Sequence, residues 1–439
     1  MIDFTSFNLR DACSVNTNED GDRFVGVKVE EDKAHVYFPL GYRLPDDDRL
    51  LRRDIRMLFG VLSAFGYKED KILKGSKFVQ AHPVDFPIQA YLDVIDYFME
   101  NNGHYYVESE KKYKSDTKGK ISWARTIKNQ RAFIKNGVPT YVKFDVEYQS
   151  PLENQLITKI HKFCVYHAYK RLGWLYTNQQ IVDPGITYSD GMSRSFLQEL
   201  RKKKNNTQKD RDKKLFSSMI AMIEFIDNRK LDKNYYFGTD NFEYIWEKLI
   251  DKVFGIPNKE DYFPTGVWVE RDGANSGSET HALMPDTIML YNNKVYILDA
   301  KYYKYGDTHK PGDLPDSSSI NKQITYGEYI NINKGVNENS IFNAFLMPYD
   351  KETEKFAKHD KFSNVAEATG KWRTNTKYYE KIQGILVDVR YIMQNYAGRK
   401  QTTICCKSAN TVFIPACWWA PANTAILRRR ARQIGRAHV

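Results

Sequence analysis

Two aspartates and a lysine interrupt an otherwise apolar stretch, Met284 to Tyr303, which reads MPDTIMLYNNKVYILDAKYY. Asp286 follows Pro285, and thirteen residues later comes Asp299-Ala300-Lys301. Paired carboxylates and a backbone carbonyl are the hard oxygen ligands that Mg2+ prefers. A lysine beside them can orient or activate a water and stabilise charge developing on a phosphate. The plainer alternative is that these charges are the solvated ends of ordinary strands.

The elements that carry the charges favour the first reading. TIML and VYIL are β-type runs on either side of Tyr291-Asn292-Asn293-Lys294. Asparagine tolerates the left-handed region, so Asn292-Asn293 suits the centre of a two-residue hairpin turn. Tyr291 then faces Lys294, Leu290 faces Val295, and the same count sets Asp286 directly opposite Asp299. Cross-strand partners have Cβ atoms roughly 4.5–5.5 Å apart, and like charges there destabilise a sheet. A divalent cation between them would remove that cost. Alternation puts Lys301 on the face of Asp299. Ile288, Leu290, Val295 and Ile297 share the aspartate face, with Met289, Tyr296, Leu298 and Ala300 on the other. Strands apolar on both faces are usually central and buried, which leaves the charges at a sheet rim.

Helical and strand patterns surround this hairpin. NFEYIWEKLIDKVFG precedes it as a helix, and INKQITYGEYINI follows as another after the loop YGDTHKPGDLPDSSS. IFNAFLMPY and IQGILVDVRYI read as buried strands, so the order is that of an α/β layer with a mixed sheet. Nearer the start, RFVGVKVE and AHVYFPLGYRL read as strands. DDRLLRRDIRMLFGVLSAFGY reads as a helix with an acidic start and Leu51, Ile55, Leu58, Phe59 and Leu62 at helical spacing. FPIQAYLDVIDYFMENN is a further helix, SEKKYKSDTKGK a polar loop and TYVKFDVEYQS a strand. SPLENQLITKIHKF reads as a helix capped by Ser150, with Pro151 in its first turn and Glu153 completing a capping box. LRKKKNNTQKDRDKKL has eight basic and two acidic residues. It is either a solvated loop or helix end, or a segment that contacts phosphates.

Composition bounds the class. A chain of 439 residues suggests two or three domains. Apolar residues at 41% and aromatics at 14% argue against global disorder. No apolar run is long enough for a membrane helix, and MIDFTSFNLRDACSVN lacks a signal-peptide pattern, so a cytoplasmic location is expected. The five cysteines form no C-x-x-C pair, which supports neither zinc nor a disulfide framework. The net charge of +11 is weak evidence for nucleic acid, because eight basic and no acidic residues lie from Arg399 onward. That tail clusters Cys, Trp and Arg without periodicity and reads in part as translated junction sequence.

The hairpin resembles the core of the PD-(D/E)XK nucleases, with Pro285-Asp286 as the first acid and Asp299-Ala300-Lys301 as the second acid and lysine. The resemblance implies an α/β fold with a restriction-endonuclease-like core, a central mixed sheet flanked by helices, plus an N-terminal α+β domain. It implies that Asp286, Asp299 and the Ala300 carbonyl bind Mg2+ and that Lys301 acts on the attacking water. Many members carry a glutamate on the helix before the hairpin, a role that falls here to Glu153. Some carry Q-x-x-x-Y on the following helix; Gln323 and Tyr326 are one residue closer together. On that basis Lys322 and Gln323 are expected to face the DNA backbone and Tyr326 to support Lys301.

More narrowly, the hairpin with SINKQITYGEY is similar to the LlaJI-type restriction endonucleases and the related McrC nuclease subunits. GKISWARTI and SPLENQL fit the same resemblance, which runs from about 119 to 396 and is patchy at 200–270. It implies Mg2+-dependent cleavage of foreign double-stranded DNA and pairing with a cognate DNA methyltransferase. Some relatives act with an AAA+ GTPase subunit. The sequence has no G-x-x-x-x-G-K-[ST], so nucleotide hydrolysis would come from such a partner. The expected organisation is a recognition or partner-docking domain at 1–145, a nuclease domain at 146–398 and a basic tail at 399–439. Trp123 and Arg125 are candidates for DNA or partner contact. Two other readings stay open: a DNA-binding or assembly subunit without activity, and a DNA-repair nuclease with the same core.

Overall fold

The computed structural model describes residues 7–30, 33–66, 86–152, 155–176, 182–186, 191–229, 235–269, 271, 276–279, 282–352 and 361–397. Glu153 and the tail from 398 onward lie outside the described residues. These residues fall into two units, one within Met1–Asn8 and Phe86–Lys233, the other within Leu9–Asp85 and Asn234–Val439. This division does not coincide with the expected one at residue 145. Pairing across a long sequence separation explains the difference. Strand β2 (Val25–Glu30) is hydrogen-bonded to β9 (Tyr235–Thr239), so the early strands close onto the later half of the chain.

The unit that begins at Leu9 is mixed α/β with two main sheets. One has the order β1-β3-β2-β9, with β1 (Cys13–Val15) parallel to β3 (Lys33–Phe38) and the other pairs antiparallel. Helix α1 (Asp48–Gly66) buries Leu51, Ile55, Leu58, Phe59 and Leu62, the stripe that its spacing predicts. The second sheet has the order β12-β13-β14-β16-β15. Its strands are β12 (Thr287–Tyr291), β13 (Lys294–Ala300), β14 (Ile341–Tyr349), β15 (Phe362–Thr369) and β16 (Lys381–Asp388). The outer pairs are antiparallel and the inner two parallel. All nine residues of β14 are buried, as a central strand requires.

The strand expected over 382–392 is shorter. Asp388 accepts hydrogen bonds from the Tyr391 and Lys351 N–H groups, and the first of these starts helix α10 (Val389–Ala397). Arg390 of α10 pairs with the buried Asp54 of α1 at 2.8 Å.

Helix α9 (Ser317–Asn333) begins at an Asp316 cap whose side chain accepts from Ser319 N–H. Its Tyr326 and Ile330 pack with Ile288, Val295 and Ile297, so α9 covers the aspartate face of the hairpin. Gly327 permits this approach: a Cβ there would lie 2.5 Å from Tyr379. In helix α7 (Phe242–Phe254), Phe242 and Trp246 pack on the Tyr302 ring, and Trp246 Nε1 donates to the Leu346 carbonyl at 3.2 Å. A short hairpin, β10 (Val267–Val269) with β11 (Ser276–Glu279), and the single-turn α8 (Tyr305–Thr308) complete this unit.

The other unit packs α2 (Ile88–Glu100), α4 (Leu156–Leu172), α5 (Met192–Asn206) and α6 (Asp210–Arg229) through apolar faces. The basic run at 200–214 forms the facing ends of α5 and α6. There Arg201 pairs with Glu224, Lys203 with Glu108 and Lys214 with Asp93. Burial holds the His161 and His167 imidazoles of α4 down to about 3, so both are neutral parts of the core.

Between α2 and α4 lie β4 (Ser109–Asp116), β5 (Lys120–Ile121), α3 (Trp123–Asn129), β6 (Ala132–Lys135), β7 (Val138–Tyr141) and β8 (Phe144–Pro151). SEKKYKSD is therefore a strand, not a loop; it covers no core, so no apolar alternation announced it. The expected capping box at Ser150 is also absent. Ser150 pairs with Glu110 inside β8, and α4 starts later, after Gln155. Among the described residues no helix is long and apolar enough to cross a membrane.

Candidate active site

Asn292 and Asn293 have φ angles of 49° and 57°, the two left-handed residues of a type I′ turn. The ladder they set pairs Tyr291 with Lys294, Leu290 with Val295 and Thr287 with Leu298. One step further on that register, Asp286 stands opposite Asp299. Asp286 Oδ2 accepts a hydrogen bond from the Ala300 N–H at 2.9 Å. Lys301 Nζ lies 2.7 Å from Asp299 Oδ2. The two acids and the lysine thus converge at one end of β12 and β13. Leu290 at the turn end is exposed, so the two-sided burial expected of the hairpin holds from Ile288 inward and not at its tip.

The segment before β12 is fastened in place. Ile256 N–H donates to the Ile288 carbonyl at 3.0 Å. Lys259 Nζ donates to the Asp286 carbonyl at 2.5 Å and also pairs with Asp251 at 3.0 Å. These contacts tie the backbone of Asp286 to the end of α7 and the turn that follows it.

The electrostatics are those of crowded acids. Burial pushes the Asp286 carboxyl up to about 8, and the Asp299 and Glu247 carboxylates add to the rise against the Ala300 N–H and Lys301. Glu247, on α7, is itself raised by burial first and then by Asp299. Burial pulls the Lys301 ammonium down, but Asp299 more than offsets this, so its net shift is upward and it stays charged at neutral pH. A buried set of mutually repelling carboxylates is relieved by a cation, and the oxygen donors present suit Mg2+. Among the described residues no three Asp, Glu, His or Cys side chains stand close enough together to hold one ion. Glu247 acts on Asp286 through its charge, and Asp286, Asp299 and the Ala300 carbonyl are the oxygen donors that could hold an ion.

The helix after the hairpin contributes differently from expectation. Tyr326 is buried, and its hydroxyl donates to the Met284 carbonyl at 3.4 Å. Burial, then Asp299 and Asp286, push that hydroxyl up to about 12. Lys322 is exposed, but Gln323 is only 1% exposed and does not face a DNA backbone. Position 323 falls in the buried stripe with Ile324, Gly327 and Ile330, because i, i+1, i+4 and i+7 share a helix face. Both polar atoms of its carboxamide lack a hydrogen-bond partner among the described residues. Trp123 and Arg125 belong to the other unit. Trp123 is exposed, and Arg125 lies over the Tyr113 ring at 4.2 Å and near Asp145 at 3.8 Å.

The sequence reading missed Glu247. Its signal was present, since EYIWEKL is the helix directly before the hairpin. Apolar periodicity marks the buried stripe of such a helix and does not say which polar residue leans over the sheet end.

The fold and site define a class: mixed α/β proteins in which two carboxylates and a lysine meet at the end of adjacent strands. Residues 24–366 match the model of the family described as LlaJI restriction endonuclease, and the chain belongs to that family. Among solved structures, a similar chain occurs in the "Refined half-complex from tetradecameric assembly of Thermococcus gammatolerans McrB AAA+ hexamers with bound McrC". The two share 14% identity over 85% of this chain and 81% of that one, with a TM-score of 0.33. No curated protein matches the chain.

Proposed function

We propose that this member of the LlaJI restriction endonuclease family is a Mg2+-dependent endonuclease of PD-(D/E)XK type that hydrolyses phosphodiester bonds of foreign double-stranded DNA. The observation that carries the reading is the aspartate pair, one register step beyond the β12–β13 ladder, with Lys301 on the Asp299 carboxylate. Asp286, Asp299 and the Ala300 carbonyl would hold the ion. Bound there, Mg2+ would supply Lewis-acid charge at the scissile phosphate and acidify a water.

The side chains divide the remaining tasks. Lys301 orients the attacking water and meets the charge that grows on the phosphate oxygens. Asp299 keeps Lys301 charged and aimed. The Ala300 N–H and Lys259 fix the two ends of Asp286. Glu247 takes the helix-borne acid role assigned from sequence to Glu153, and its charge raises the proton affinity of Asp286 in the metal-free protein. Tyr326 stays neutral and closes the site on the α9 side. The reading includes a nucleotide-hydrolysing AAA+ partner, since the sequence has no G-x-x-x-x-G-K-[ST], and a cognate methyltransferase.

The test is plasmid cleavage in Mg2+ with Asp286→Ala, Asp299→Ala and Lys301→Ala, each checked for an unchanged circular dichroism spectrum. Cleavage is expected to vanish in all three. A folded Asp299→Ala chain that cuts like the wild type would overturn the assignment. Running the assay with and without an AAA+ partner separates an active subunit from an assembly subunit.

A further inference from the structure

The charge of this chain is unevenly placed. Met1–Asn8 with Phe86–Lys233 carries a net +8, whereas Leu9–Asp85 with residues 234–398, the part of the other unit that holds the acid pair, carries a net −5 before the eight basic residues of 399–439 are added. Two stretches carry this excess: 109–145, where ten Lys and Arg face three Asp and Glu, and the helical run 200–214, where eight face two. Duplex DNA carries one negative charge per ~1.7 Å of its axis, so the acidic stretch around the acid pair repels it and a cationic segment attracts it.

Residues 109–145 are built for exposure. Seven of the eight residues of β4 are exposed and the eighth partly so, which leaves its ladder to β8 as the contact that holds it. The β6–β7 hairpin leaves Phe133, Ile134 and Val138 60%, 73% and 61% exposed. Asp145 clamps α3 onto β8 by accepting from the Asn129 and Gln130 side chains and giving its carbonyl to the Ser122 N–H. Lys112 pairs with Glu110, Lys114 with Asp116, and Lys111 and Lys120 with Glu147. Lys118, Lys128, Arg131 and Lys143 are cations without a carboxylate partner among the described residues.

We propose that residues 109–145 are a basic β-ribbon arm that grips duplex DNA. Lys118, Lys128, Arg131 and Lys143 neutralise phosphates, and Phe133, Ile134 and Val138 enter the groove. A two-stranded ribbon fits the major groove, and apolar side chains at a ribbon tip are the wedges that groove-inserting proteins push against base steps. The unpartnered cations beside the apolar tip suit a polyanion better than a purely apolar protein face. The proposal rests on the reading of Asp286 and Asp299 as a DNA-cleaving site, because that reading makes duplex DNA the substrate.

Fluorescence anisotropy of a labelled duplex with the full chain tests this. EDTA is kept in the buffer, so binding is read independently of the acid pair. The variant with Lys118→Gln, Lys128→Gln, Arg131→Gln and Lys143→Gln should lower the slope of log K against log salt by about 3–4. Its binding should weaken more than tenfold, while the variant with Lys at 131 and Arg at the other three positions keeps the wild-type slope. Ile134→Ser should weaken binding with the slope unchanged. A folded four-site Gln variant with the wild-type slope overturns the arm as the DNA grip. So does one that binds DNA normally but no longer co-elutes with an AAA+ partner, which would make the arm a protein-docking surface. Arm-dependent binding together with normal cleavage by Asp299→Ala would instead sink the site assignment and leave the arm standing.

Discussion

The acid-pair unit and the arm solve opposite electrostatic problems. Around Asp286 the carboxylates are sunk into the end of a sheet, fastened by backbone hydrogen bonds, and crowded until one holds its proton near neutrality. In the arm the charges are cationic, solvated and carried on strands that bury almost nothing. A site that must attract a cation needs buried, mutually repelling oxygens. A surface that must attract a polyanion needs exposed positive charge over a long reach. One patch cannot satisfy both, and the proposed cation site and the proposed DNA grip fall on different units.

The largest break of this comparison would come from the site. Asp286→Ala, Asp299→Ala or Lys301→Ala should lower plasmid cleavage by at least about a hundredfold, the scale of losing one charge-stabilising group. Their duplex binding in EDTA should persist. The four-site Gln variant of the arm should do the reverse, with a loss concentrated in apparent DNA affinity and in salt sensitivity.

Asp286 gives the next effect. Its folded value of about 8 lies above the unfolded value of 3.8, so the folded metal-free chain binds the extra proton between those limits. Stability therefore falls as pH rises from about 4 to 8. Asp286→Asn should melt higher than the wild type at pH 9, with the two curves merging below pH 4. At limiting Mg2+, cleavage should rise with pH towards 8 as that proton leaves. Glu247→Gln lowers the proton affinity of Asp286 and should move the rise to lower pH; an unmoved profile would remove Glu247 from the site.

Lys259→Met frees the Asp286 carbonyl and should cost about tenfold in cleavage through misplaced geometry, with DNA binding in EDTA untouched. The smallest effect is expected on the helical side of the arm unit. Lys214→Ala removes a partly solvated pair with Asp93 and should change urea stability by about 0–1 kcal/mol.

Much of the site was legible because it is local. The Asn-Asn turn, the register it sets and the facing aspartates lie within sixteen residues, and each follows from backbone preference and strand alternation. The helix–hairpin–helix–strand order was legible for the same reason. Gln323 was misjudged because a polar side chain inside an amphipathic stripe looks like surface until the opposing strand is known. The β4 ribbon was misread as a loop because exposed strands carry no apolar signature.

By itself, then, the sequence determined the hairpin, its charged end and the apolar stripe of α1, since short-range sterics and periodicity suffice for these. Tertiary structure decided the rest. It joined β2 to β9 across some two hundred residues, set Glu247 within the field of the aspartates, buried Gln323 and left the basic ribbon bare. Those outcomes depend on which distant surfaces meet and which stay in water, and no local pattern encodes that choice.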